Sequence, residues 1–451
     1  MTPHPPGTPA AQPPVSPAGL AERVTAGILA DLAGAGHGAV VDSPPGAGKS
    51  ALVVAAAARL ASGGERVMVI AQTNEQVDDL IERLANASPG LPIGRVSGRE
   101  YVPSARVARY PQVMVAASAA DLAGCPVVAG TAHKWATVRD SCWPWAIVDE
   151  AYQMRSDLLL RVAGRFERAL FVGDPGQLDP FSTVQTERWT GLTWDPMQSA
   201  VAVLLRHNPD LPVHRLPVSW RLPEPAADVV AEAFYPFTGF RAGTTPDQRR
   251  MAFTTASFGQ DPCDEALETA AASGWALYEL PARHTVRTDA DAVTACATLA
   301  ARLLRRGAVS YSERAEAGAP ITASRIAVGT AHRDQAQAIR AVLQANGIAG
   351  VTADTANRLQ GREFDVVIVL HPLSGRRDAT TFHLEAGRLC VLTTRHRHAC
   401  IVVARAGIPE LLDAHPSTEP VHLNVPVKFP DGWAANQAVM ARLQQWKVRA
   451  L

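Results

Sequence analysis

The residues Ser43-Pro44-Pro45-Gly46-Ala47-Gly48-Lys49-Ser50 have the types and spacing that phosphate chemistry needs. Glycines at 46 and 48 let the backbone after Pro45 curl, so that the N–H groups of Gly46, Ala47, Gly48 and Lys49 line a cradle for an anion. Lys49 would reach the β- and γ-phosphates of ATP, and the Ser50 hydroxyl would sit on Mg²⁺. Lysine occurs only at 49, 134, 428 and 447, so one placed between Gly48 and Ser50 is a pointed choice. The bland reading of the same stretch is a glycine turn that caps a helix. About a hundred residues on, Asp149-Glu150 offers adjacent carboxylates: Asp149 to hold Mg²⁺ and Glu150 to polarise an attacking water. Gln177, in the turn Gly173-Asp174-Pro175-Gly176-Gln177, is a neutral group able to sense a γ-phosphate or position water.

These groups need strands to aim them. Ala39–Asp42 runs into the loop, and the Ala-rich stretch from Ala51 to Leu60 forms the helix behind it. Arg66–Ala71, Pro126–Thr131, Trp145–Glu150 and Ala169–Asp174 read as further strands, each a near-continuous apolar run ending in a small or polar residue. Such runs, separated by helices, imply a parallel sheet covered on both faces, with ligands at the carboxyl ends of its strands. A second set follows: strands at Trp275–Leu280, Arg325–Gly329, Ile348–Asp354, Phe364–Leu370 and Cys400–Ala404, with helices over Ala290–Arg306, Asp334–Asn346 and Glu385–Thr394. Phe240–Ser273 and Ser374–His383 read as loops or insertions. The expected fold is therefore α/β, with two parallel-sheet units in tandem: residues 19–200 and 201–425. A disordered Pro-rich tail (1–18) precedes them, and a linker and docking helix (426–451) follow. The tail and the last helix are the places where a protein partner would attach.

Acids and bases balance at 43 each over 451 residues, so nucleic acid, if bound, must meet a local groove rather than a polycationic surface. The six cysteines form no C-x-x-C pair and mostly lie by apolar runs, which points to reduced thiols in a cytoplasmic protein. No apolar run reaches the roughly 18 residues of a membrane span, and the N-terminus lacks a secretory pattern. Trp143 and Trp145 have the type for base stacking, although core packing is the preferred reading beside the Asp149 strand.

Taken together, the loop, the Asp149-Glu150 pair and the Gln177 turn resemble superfamily 1 helicases, within them subfamily B, the branch of the nonsense-mediated-decay RNA helicase. Ser-Pro-Pro-Gly-Ala-Gly-Lys-Ser is similar to that branch's Gly-Pro-Pro-Gly-Thr-Gly-Lys-Thr, with Ser43 where the family has glycine. Gln72–Asp78 resembles motif Ia, Gly130–His133 motif Ic, and Leu216–Arg221, followed by Tyr235-Pro236, motif IV. Asp354–Glu363 resembles motif V and Arg388–Arg397 motif VI, so the likeness spans roughly residues 20 to 405 in order. It implies two RecA-like P-loop NTPase domains hydrolysing ATP while moving 5′→3′ on single-stranded DNA or RNA. It also implies that Arg221 and Arg395 are arginine fingers, that Glu363 bonds the nucleotide ribose, and that Thr73, Asn74, Thr131, His133 and Thr355 touch the nucleic-acid strand. Fingers on the second unit would tie chemistry to closure of the cleft.

Two departures shape the expectation. No glutamine stands between Gln12 and the phosphate loop, where the family reads adenine; Glu22 and Arg23 lie there instead, which relaxes nucleotide choice. Only Ser97–Gly124 is free for an accessory domain, too short for a barrel. Translocation without processive unwinding is thus open, as is a nucleotide-dependent switch or loader that never translocates. A small-molecule kinase is a third, weaker reading, given the motif V and VI matches. In Arg395-His396-Arg397-His398 the residues after Arg395 read as a solvated helix end.

Overall fold

The computed structural model describes residues 16–34, 36–139, 142–178, 180, 198–257, 261–285, 288–416 and 431–450. The tail expected to be disordered, save its last residues, and most of the expected linker lie outside the described residues.

Two α/β units with parallel central sheets stand in tandem, as the sequence leads one to expect. The first sheet takes β1 (Gly38–Asp42), β2 (Val67–Ala71), β3 (Ile93–Val96), β4 (Val113–Ala116), β5 (Val127–Thr131), β6 (Trp143–Asp149), β7 (Phe166–Gly173) and β8 (Val213–Arg215), in the order β4-β3-β5-β2-β6-β7-β1-β8. Every pairing in it is parallel. Short β9 (Val218–Ser219) and β10 (Arg241–Ala242) then pair with each other, and β11 (Arg250–Phe253) leads into the second unit. Its sheet takes β12 (Trp275–Leu280), β15 (Ile326–Thr330), β16 (Thr352–Thr355), β17 (Phe364–Leu370), β18 (His396–Arg405) and β19 (Lys447–Arg449), ordered β16-β15-β17-β18-β12-β19 and again parallel throughout. A hairpin of β13 (Ala308–Ser312) and β14 (Ala315–Pro320) joins β11 in a small antiparallel sheet beside it.

Each large sheet carries an apolar core on both faces. Leu52, Val53, Val69, Leu80 and Ile147 pack on one side of the first sheet, and Met68, Trp135, Trp143, Val148 and Phe171 on the other. The second sheet has the same arrangement, with Val367, Val369 and Val402 on one face and Val366, Ile368 and Ile401 on the other. Two-sided burial is what makes these strands read as unbroken apolar runs. Trp143 and Trp145 are both buried here, so core packing is their role.

The structure differs from the sequence expectation at one edge of each large sheet, at a helix and at a strand start, and β10 and β11 lie within the expected Phe240–Ser273 loop. β8 pairs with β1, so the first sheet extends to Arg215, past the expected boundary at 200. β19 pairs with β12, so residues expected to be only linker and helix supply a strand. Pro262–Ser273, expected as loop, is a helix capped by the Asp261 side chain, with Pro262 at its first position and Gly274 left-handed at its end. His396–His398 open β18 instead of ending a helix, and His396 and His398 are buried rather than solvated.

Candidate nucleotide site at the junction of the two sheets

β1 delivers Ser43 to the carboxyl end of its sheet, where the Ser43 N–H donates to the Gly173 carbonyl at 2.9 Å. Gly46 and Gly48 take φ values of 74° and 92°, a region that side-chain-bearing residues seldom adopt. Lys49 then begins the helix Lys49–Ser62, so loop and helix terminus converge on one spot. The Lys49 ammonium lies 3.1 Å from Glu150 Oε1 and 3.2 Å from Oε2. Glu150 itself is left-handed (φ 49°), the one such non-glycine among the described residues, and Gln153 Nε2 donates to it at 3.2 Å. A non-glycine residue held left-handed at a strand end by two donors is a point of backbone strain.

Asp149, at the end of β6, is buried and its Oδ1 has no hydrogen-bond partner. Burial first, then the neighbouring Glu150 charge, push its carboxyl up to about 7, with Lys49 pulling the other way. An orphaned buried carboxylate oxygen beside a backbone cradle and a lysine fits a site for a metal-bound phosphate group. Ser50, Asp149 and the cradle Pro45–Lys49 are the residues that would hold Mg²⁺ and the nucleotide. Asp174, just past the end of the adjacent strand β7, is also buried; its carboxylate accepts from the Gly176 N–H at 3.0 Å, from Gln177 Nε2, and from the Tyr235 hydroxyl at 2.5 Å.

The second unit meets this site directly. The Trp220 N–H donates to the Gly46 carbonyl at 2.9 Å, and the Ser219 hydroxyl to the Pro45 carbonyl at 2.6 Å. A Cβ on Gly46 would fall 2.2 Å from the Arg221 Cβ, so only glycine lets the two strands of chain pass. Gln177 accepts from Gln360 Nε2 at 3.1 Å, and a Cβ on Gly387 would lie 2.5 Å from the Gln177 carbonyl oxygen. Leu178 packs into the second unit's core.

Arg221 and Arg395 reach this junction by different routes. Arg221 donates through Nε and Nη2 to Glu363 Oε1 at 2.9 and 2.8 Å, and through Nη1 to the Thr394 carbonyl at 3.3 Å. Arg395 is only 1% exposed and bonds the Val391 carbonyl at 3.1 Å and the Thr394 hydroxyl at 2.9 Å. Among the described residues no carboxylate pairs with it. Burial, then the Arg221 charge, pull its guanidinium down to about 10, so it stays charged at neutral pH. Glu363, expected from the resemblance to bond the ribose, is bound here by Arg221 and Arg397. Burial alone would raise its carboxyl, but Arg221 first, with Arg397 and Arg395, holds it below the usual range.

The residues assigned to the nucleic-acid strand lie at the carboxyl ends of β2, β5 and β16. Thr73 caps the following helix, its hydroxyl accepting from the Gln76 N–H, and Asn74 Oδ1 accepts from Arg95 at 3.1 Å. Thr131 caps its own short helix in the same way, and His133 beyond it is exposed. Thr355 is buried. Sequence reasoning passed over Asp174, Ser219, Gln360 and Arg249, although the first three lie inside or beside quoted motifs; Arg249 had no such signal.

Residues 26–189 match a family model described as an AAA domain (AAA_30), and residues 276–407 match a second of the same description (AAA_12). None of the curated proteins matches. Among solved structures, the chain is similar to the PRRSV helicase at 15% identity and a TM-score of 0.42, covering 85% of this chain and 54% of that one. It is similar to the Arterivirus nonstructural protein 10 helicase in complex with DNA at 15% identity and 0.42, covering 85% and 62%. It is also similar to the helicase MrfA bound to DNA at 11% identity and 0.45, covering 87% and 50%. The chain thus spans about half to three-fifths of the length of these solved chains.

Proposed function

We propose that this chain is an ATP-hydrolysing nucleic-acid motor of the superfamily 1 helicase kind, subfamily B, moving 5′→3′ on single-stranded DNA or RNA. The first unit runs to about Arg215, and the second starts with the Val218–Arg221 segment that precedes the helix Glu224–Phe234. One observation carries the reading: the phosphate loop of one parallel-sheet unit touches the Ser219–Arg221 segment, while buried Arg395 from the other unit has no carboxylate partner among the described residues. A phosphate cradle and two arginines on opposite jaws suit a reaction in which negative charge builds on transferring phosphoryl oxygens. Bound ATP and Mg²⁺ would supply the phosphoryl group and neutralise part of its charge. Lys49 and the loop N–H groups bind the phosphates, Glu150 orients water, Gln177 links the loop side to Gln360, and Arg221 and Arg395 add positive charge when the jaws close. Thr73, Asn74, Thr131, His133 and Thr355 are assigned to the strand-contacting face.

Steady-state ATPase with and without ribo- and deoxyribo-oligonucleotides tests this: strong stimulation by a strand is expected, and no response to any strand ends the motor reading. Strand displacement with 5′ and 3′ tails then tests unwinding and polarity. A second reading, a nucleotide switch or loader without unwinding, is favoured by one feature. Between β3 and β5 the chain holds only a four-residue helix (Ala105–Ala108), the edge strand β4 and a single turn, with no strand-splitting barrel. ATPase stimulation without displacement from either tail would select it.

A further inference from the structure

Arg249 stands outside every motif, between β10 and β11, yet its side chain is 1% exposed. Its guanidinium donates to both carbonyls that bracket the arginine facing the phosphate loop: Nη1 to the Arg221 carbonyl and Nη2 to the Trp220 carbonyl, the latter at 2.6 Å. Nε and Nη2 also bind Glu313 at 3.1 and 2.7 Å, at the tip of the β13–β14 hairpin. The line of charge continues. Glu313 meets Arg397 at 3.3 Å, Arg397 meets Glu363 at 3.4 Å, and Glu363 meets Arg221 at 2.8 Å. Arg221, Glu363, Arg397, Glu313 and Arg249 thus close a ring of alternating charge around the Trp220–Arg221 backbone.

We propose that Arg249 is a positioning residue for Arg221, held in place by Glu313, and that Arg397 keeps Glu363 compensated when Arg221 turns from it towards a phosphate. The proposal rests on the ATPase reading above. Its physical basis is that a planar fork can satisfy two adjacent carbonyls and a carboxylate together, which a lysine cannot. The Trp220 N–H is the group that docks on the Gly46 carbonyl, so loosening Arg249 frees both the arginine and its contact with the loop. The hairpin, an insertion outside the parallel sheet, thereby gains a mechanical hold on the reaction.

Two kinds of measurement test this on the full chain. In the first, hydrogen–deuterium exchange follows the segment 216–222 without nucleotide. Arg249→Ala should raise exchange there about tenfold while the β1, β6 and β17 amides keep their protection. In the second, ATPase kinetics are taken as a double-mutant cycle. Arg249→Ala should lower kcat about tenfold with KM within about twofold, Arg249→Lys should not restore it, and Arg221→Ala/Arg249→Ala should be no slower than Arg221→Ala alone. Glu313→Gln, which keeps the shape of the acceptor, should shift both readouts in the same direction by a few-fold. It carries the test if Arg249→Ala does not fold. Additive kcat losses, or unchanged exchange at 216–222 in a folded variant, overturn the proposal. A wild-type chain that hydrolyses no ATP removes the function assigned above and leaves the exchange arm to judge the positioning role.

Discussion

Glu150 combines a left-handed backbone, a lysine contact and a glutamine contact in one residue. A Glu150→Gln protein keeps the shape and the Gln153 neighbour but loses the charge proposed to polarise water. It should bind nucleotide as the wild type does and turn over about 10²–10⁴ times more slowly, measured by fluorescent-nucleotide titration beside steady-state ATPase. Wild-type turnover in that protein would remove the water-activating assignment. Arg395 makes a second residue-scale case. Its guanidinium already has two neutral acceptors, so Arg395→Lys keeps a cation but cannot keep both bonds and also reach outward. ATPase should fall about 10³-fold with little change in nucleotide affinity. Lys49, Asp149 and Glu150 stood out in the chain because they sit where a strand or helix begins or ends, and Arg395 because its surroundings resemble a helicase motif. What could not be read was that Glu363 would be held by Arg221 and Arg397, since that depends on side chains more than thirty residues apart.

At the scale of elements, the phosphate loop and the Ser219–Arg221 segment are set by mutual contact. Gly46→Ala places a methyl 2.2 Å from the Arg221 Cβ on a backbone with φ 74°, so the second unit's segment must retreat. The expected cost is about 10²-fold in ATPase, since displacements near 1 Å act on this scale. Gly27→Ala, in the helix Pro17–Asp31 with open space around it, should be silent or stabilising by about 0.4–1 kcal/mol; thermal melts and ATPase of the pair separate the two cases. Legibility followed the same divide. β2, β6, β7, β12 and β17 announce themselves as apolar runs because both faces are covered. β14 (Ala-Glu-Ala-Gly-Ala-Pro) has no strand-forming residue, and β8 and β19 are three residues each, so their strand character comes from pairing alone. The helix Pro262–Ser273 was hidden for another reason: its Asp-Pro start and Gly end were present, but its Ala-rich face lacks a strong apolar stripe.

For the whole molecule, acid should be destabilising in a defined window. His371 is buried at the end of β17; its Nδ1 accepts from the Leu373 N–H at 3.1 Å, and burial lowers it to about 3. His396, buried at the start of β18, is lowered to about 3 as well, by burial first and then by the His398 charge. Both are neutral when folded and ordinary when unfolded, so the unfolded chain binds more protons below pH 6.5. Stability is therefore complete above about 6.5 and declines towards pH 3, by about 1.4 kcal/mol per pH unit for each such histidine. Urea midpoints at pH 7 and 5 should show this fall. His371→Asn, which retains an acceptor near the Nδ1 position, should show a shallower one; an unchanged slope would remove His371 from the account.

The order β4-β3-β5-β2-β6-β7-β1-β8 carries a consequence for how the chain reaches this state. β1, which runs into the phosphate loop, does not pair with β2, the next strand in the sequence: its partners are β7 and β8, residues 166–173 and 213–215. The strand leaves a ribosome well before either partner and must wait for both to find its place. Closing loops of that length comes late in folding, after the more local pairs have formed. A chain stalled before Phe166 would carry every residue of the cradle and no surface to build it on, so nucleotide binding reports completed folding rather than the mere presence of the motif.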